Sequence, residues 1–284
     1  MSFELSRLAA GGFASDDDTG RPTGRGSKDD LDAPQGRSFP AAPEAVATLR
    51  VCFASNRDAL DAVSRVMHQA VLPCALEFMD ERAIDVIRPT GTADDLPSGT
   101  RALLMVEADG AAADLPRQIA ALQQALDGAG LLEIKSGFER EAIVQLWAAR
   151  KSLSHAVKRI APLKINEDVV VPVSQLGDLV DFIDHTAHAQ RLAVVSFGHA
   201  GNGNLHVNLM VHPEDADEMD RAHLALDAII LRVLALGGTL SGEHGIGTEK
   251  RRFVDREIEP ATLDLMRAIK RQFDPHGLLN PGKL

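Results

Sequence analysis

The reading of the chain turns on VVSFGHAGNGNLHVNLM, Val194 to Met210, answered by SGEHGIG, Ser241 to Gly247. LAVVSFGH and LHVNLMV each read as strands. The AGNGN between them is short and glycine-rich enough to fold them back as a hairpin. That brings His199, at the end of one strand, beside His206 on the next. His206 and Asn208 are two apart and share a strand face, and Glu243 in the second glycine-rich turn can add a carboxylate. Two imidazoles and a carboxylate with an open position suit zinc, or another divalent transition metal, as a Lewis acid. His244 cannot easily face the same way as its neighbour Glu243, and it is assigned to proton transfer. Isolated histidines beside glycines usually satisfy backbone groups in turns; the clustering of these favours function.

Working outward, helices alternate with strands that can pair antiparallel. LRVCFAS (49–55) is a strand, and NRDALDAVSRVMHQAV a helix with Asn56 as its cap. LPCALEFMDERAIDVI is a strand running into a short helix, and ALLMVEAD (102–109) a buried strand. LPRQIAALQQALDGAG is a helix and LLEIKSG a strand. Arg140 to Ile160 makes a long helix, on which Arg150 and Ser154, four apart, share a face. Lys164 precedes the strand INEDVVVPV, and Ser174 caps the helix that follows. After Val211 come a long helix ending at Gly237 and Gly238, two shorter helices, and a C-terminal turn. The expected fold class is α+β, a ferredoxin-like antiparallel sheet with flanking helices and no doubly wound core.

Two segments are expected, 1–48 as a disordered or non-native leader and 49–284 as the folded domain. The leader is rich in Gly, Pro, Asp and Ser, too poor in apolar surface to offset the entropy of ordering it. The net charge of −11 over 284 residues argues against nucleic acid as a partner. The cluster Lys250, Arg251 and Arg252 reads as a solvated helix start. Cys52 and Cys74, in no metal-ligand spacing, suit a reducing compartment. With no membrane span or signal sequence, a cytoplasmic protein is expected, peripheral to a membrane only through a partner.

GHAGNGNLHVN and SGEHGIG, taken with WAARKSLSHAV, KINEDVVVP and FDPHGLLNPGK, resemble the C-terminal half of the FAD-linked D-2-hydroxyacid dehydrogenases. That family includes cytochrome-type D-lactate dehydrogenase and the glycolate oxidase FAD subunit. The resemblance implies a substrate-binding cap domain of an enzyme that oxidises a 2-hydroxy acid to a 2-oxo acid. In it His199, His206 and Glu243 are metal ligands, and His244 is the base that removes the hydroxyl proton as hydride leaves C2. Arg150, Ser154, Lys164 and Asn208 contact substrate, and Asn280 in the NPGK tail contacts the flavin side. From the residues alone, Arg150 on a helix reads as a surface cation. Family members also carry an N-terminal FAD-binding domain, and only the leader precedes the cap here. A separate FAD-domain or electron-transfer subunit is the implied partner, and self-association through an uncovered apolar face is expected. The alternative is a metal- or carboxylate-binding module without redox activity, or an inactive truncated product.

Overall fold

The computed structural model describes residues 43–283, so the expected leader lies almost wholly outside the described residues. Seven strands form one antiparallel sheet: β1 (Ala45–Phe53), β2 (Ala75–Met79), β3 (Ala102–Gly110), β4 (Leu131–Gly137), β5 (Leu163–Val170), β6 (Ala193–Gly198) and β7 (Asn204–Val211). Their spatial order is β4-β1-β3-β2-β6-β7-β5. The helices are α1 (Asn56–Met67), α2 (Glu81–Ile87), α3 (Leu115–Leu126), α4 (Arg140–Ala156), α5 (Leu176–Gln190), α6 (Ala216–Ala235), α7 (Val254–Glu257) and α8 (Pro260–Phe273).

The first four strands and their α1 and α3 crossovers give the ferredoxin-like arrangement expected from the sequence. A second unit extends it: β5 and β6 flank β7, joined by α5. The sheet is covered on both sides. Alternation along the strands sends Leu49, Val51, Leu104, Val106, Val207 and Leu209 into a core with α1, α3, α5 and α6. The opposite alternation sends Cys52, Leu103, Met105, Val195 and Met210 under α2 and α4. Each fully buried Leu or Val adds roughly 1.5–3 kcal/mol relative to exposure.

Helix starts differ from expectation in two places. Ser55, not Asn56, caps α1, its hydroxyl accepting from the Asp58 N–H. Ser174 lies inside a 3-10 turn (Val173–Gln175), and α5 starts beyond it without a side-chain cap. Ordered strand also begins at Ala45, four residues before the expected boundary. Among the described residues no helix is long and apolar enough to cross a membrane. α8 buries only Leu263 and leaves Leu265, Met266, Ile269 and Phe273 exposed.

Candidate functional site

The site lies on the α2/α4 side of the sheet, where β5 and β7 carry polar residues beside the apolar Val195 and Phe197 of β6. The registers set it. β6 pairs Phe197 with His206, and β5 pairs Asp168 with His206, Asn166 with Asn208 and Lys164 with Met210. The β6–β7 connection is a 3-10 turn (Ala200–Asn202) closed by Gly203 at φ 72, where a Cβ would collide with the Val171 carbonyl. This tight hairpin puts the His199 and His206 ring centroids 5.5 Å apart.

Glu243 arrives from the other end of the domain. His199 Nε2 stands 3.0 Å from Glu243 Oε1, and Asn204 Nδ2 donates to the same oxygen at 3.1 Å. The ligand-capable atoms of His199, His206 and Glu243 all lie within 4.8 Å of one another. Donors around one ion at about 2.1 Å sit roughly 3–4 Å apart, so the three fit a divalent metal after small side-chain adjustments. Burial, reinforced by nearby His199, lowers the His206 pKa and favours the neutral imidazole, the form able to bind a metal. A hydrogen bond to Glu77 raises that of His199 against the opposing effect of burial. His244 stacks on His206, with centroids 5.3 Å apart and planes 13° apart. It therefore sits beside the donor set.

The turn bearing Glu243 and His244 is held by Asp168, a residue the sequence reading did not single out. Its Oδ2 accepts from Ser241 Oγ (3.0 Å) and from the N–H groups of Gly242 (3.0 Å), Glu243 (2.7 Å) and His244 (2.8 Å). Burial pushes this carboxyl up, but those donors outweigh burial and hold it at about 2. Among the described residues Asp168 Oδ1 has no hydrogen-bond partner, and it lies 4.0 Å from the equally unpartnered His206 Nδ1. A carboxylate behind a ligating imidazole is the usual outer support of a metal site. Gly242 is required here, since a Cβ would strike Asn204 Nδ2.

Lys250 corrects the expectation of a solvated cluster. It is buried, 6% exposed. Its Nζ donates to the carbonyls of Asp168 (2.8 Å) and Leu240 (2.7 Å) and pairs with Glu167 at 3.2 Å. It braces the segment carrying Glu243 against β5. Arg251 and Arg252 remain at the surface.

Arg150 is drawn inward rather than solvated. Its Nε donates to Glu77 Oε2 at 2.9 Å, and the guanidinium lies over the Phe197 ring, 4.8 Å from the centroid. The other Glu77 oxygen, Oε1, bonds His199 Nδ1. Glu77 was also missed, although a carboxylate between Leu76 and Phe78 on a buried strand was its signal. Lys164 is exposed within β5, not before it, and lines the same open cleft as His244. Ser154 lies one turn beyond Arg150 on α4. Asn208 is wholly buried, and its amide donates to the Val195 and His206 carbonyls at 3.0 and 3.1 Å, leaving Oδ1 free. Asn280 lies apart from these contacts, in the exposed C-terminal turn with Lys270, Leu279 and Lys283.

The match of residues 42–284 defines the class: the chain belongs to the FAD linked oxidases, C-terminal domain family. Among its relatives, the glycolate oxidase subunit GlcD of Bacillus subtilis (strain 168) is 31% identical over 85% of this chain and 51% of its own. The probable mitochondrial D-lactate dehydrogenase of Danio rerio is 27% identical over 85% of this chain and 48% of its own. The chain thus spans about half the length of these relatives. A solved structure of p-cresol methylhydroxylase with substrate bound shares the fold at 13% identity and TM-score 0.61, over 85% of this chain and 53% of that one.

Proposed function

We propose that this chain forms the substrate-facing half of a FAD-dependent 2-hydroxyacid dehydrogenase, acting on a D-lactate- or glycolate-type substrate. The observation that carries the reading is the approach of His199, His206 and Glu243 to within 4.8 Å of one another beside the stacked His244. Bound FAD would supply the two-electron acceptor, and a divalent ion, zinc being the natural choice for two imidazoles and a carboxylate, would supply a Lewis acid. His199, His206 and Glu243 would hold that ion. Arg150 and Lys164 would neutralise and orient the substrate carboxylate. His244 would take the hydroxyl proton. Ser154 and the free Asn208 Oδ1 are auxiliary contacts in this scheme, and Asn280 would face the flavin domain. FAD itself would be held mainly by the half of the relatives' length that this chain does not match, carried by a separate domain or subunit. The exposed apolar residues of α8 would be covered by that domain or by a second copy of this chain. The working location under this reading is cytoplasmic.

Two measurements test it. Divalent-ion binding by isothermal titration should be lost or strongly weakened in His206→Ala, and equal metal content in both proteins would sink the ligand assignment. The visible spectrum of the chain titrated with FAD and its candidate flavin-domain partner should show bound flavin that bleaches on addition of D-lactate or glycolate. Metal and carboxylate binding with no flavin response would favour the second reading, a non-redox binding module.

A further inference from the structure

Glu77 sits where the fold least favours a charge. On β2 its neighbours Leu76 and Phe78 point into the helix-rich core, and its register partner on β3 is Met105. Only 9% of its side chain is exposed. A carboxylate in such a wall persists only with cationic or hydrogen-bonding partners. It has two, one on each oxygen: His199 Nδ1 on Oε1 and Arg150 Nε on Oε2.

The geometry of each contact matters. With Nδ1 engaged by Glu77, the His199 ring is oriented so that Nε2 points at Glu243, the orientation a metal ligand needs. Arg150 reaches Glu77 through Nε, and its Nη groups make no hydrogen bond among the described residues. The face of the guanidinium is fixed by Phe197, whose ring also lies 5.8 Å from that of His206. One carboxylate therefore sets both a ring and a guanidinium plane.

We propose that Glu77 is a positioning residue linking cation binding at His199 to carboxylate recognition at Arg150, so that each site is weakened when the other loses its hold on Glu77. This rests on the metal-dependent dehydrogenase reading above. Linkage of this kind is reciprocal: whatever Arg150 contributes to the metal through Glu77, the metal contributes to carboxylate binding.

The test uses the full chain and cobalt(II) alone as the probe, followed by its visible absorption, with melting curves of each variant as the fold control. Glu77→Gln offers one acceptor where two donors need one each, and it should bind cobalt roughly 10–100-fold more weakly, the range for loss of an outer partner. Arg150→Gln, which removes no cobalt ligand, should still weaken cobalt binding several-fold. The double variant should be no worse than Glu77→Gln alone, because both act through one group. Wild-type affinity in Glu77→Gln, or additive losses in the double variant, overturns the proposal. If Glu77→Gln fails to fold, Glu77→Asp keeps the charge but withdraws it by one methylene, so it cannot reach both partners. It should bind cobalt more weakly, and wild-type affinity there is equally fatal. Failure of the wild-type chain to bind cobalt would instead strike the metal reading itself, a result distinct from any change confined to the variants.

Discussion

Replacing Asp168 by Asn keeps the size of the side chain and removes the charge that gathers the Ser241–His244 turn. The carboxyl is held at about 2, against about 3.9 for a free Asp, a difference worth on the order of 2–3 kcal/mol at neutral pH. Asp168 is fully buried, so solvent screening takes little from that figure. The same magnitude follows from the bonds: converting charge-assisted acceptance of three N–H groups and one hydroxyl to a neutral amide oxygen costs about 1 kcal/mol for each of the two or three bonds that weaken. The loss should appear locally, as hydrogen exchange faster by on the order of 10–100-fold at the amides of Gly242, Glu243 and His244. The sign with pH follows from a depressed folded pKa. The contribution is complete above the unfolded value and disappears as pH falls from about 4 through about 2, so variant and wild type should converge in acid. Exchange at pH 7 that is the same in both proteins would refute Asp168 as the organiser of the turn.

Lys250→Met should lower stability by about 3–5 kcal/mol in urea titration, because Glu167 is left buried without its cation, and Glu167→Gln in the same chain should restore part of the loss; a cost under about 1 kcal/mol would return Lys250 to the solvated class. Gly203→Ala, at φ 72 with its Cβ driven into the Val171 carbonyl, should cost more than about 1 kcal/mol and weaken metal binding through the His199–His206 hairpin; an unchanged melting curve would contradict the hairpin geometry. Glu77, with a further contribution from Glu243, raises the His199 pKa. In the metal-free chain its stabilising effect is therefore complete below the unfolded value of about 6.5 and lost as pH rises past the folded value. Cobalt affinity should run the opposite way, rising over that interval as the competing proton is shed. Calorimetry in buffers of different ionisation heat should detect proton release that declines as pH rises, and release that does not vary with pH would count against the raised His199 pKa.

The parts of this site that could be read from sequence are those encoded locally. The paired histidines of the hairpin lie seven positions apart, where glycine and alternation fix the geometry, and the strand rhythm of the first half was enough to place a ferredoxin-like sheet. Glu77, Asp168 and Lys250 escaped because their partners are distant in the chain: Glu77 meets Arg150 and His199 from strands and a helix far downstream, and Asp168 meets residues 241–244 only once β5 is at the sheet edge. Lys250 illustrates the converse error. Three consecutive cations look solvated, yet the first faces Asp168, Leu240 and Glu167 because the preceding turn bends it inward. The Asn56 and Ser174 caps failed for a smaller reason, since neighbouring cap-forming residues, or a 3-10 turn, shift a helix start by one or two positions.

Asp168, His206 and Phe197 form a row across three adjacent strands, and the pleat has a period of two residues. A slip of β7 by one position would send His206 and Asn208 under α5 and α6 and turn Leu205 and Val207 toward Glu243. Backbone hydrogen bonding and overall strand content would scarcely change, so far-ultraviolet spectroscopy would score such a chain as native. Uptake of a divalent ion would not. With the metal site proposed above, cobalt colour in refolding or expression trials would therefore measure strand alignment, counting only molecules in which β5, β6 and β7 have met in the correct phase.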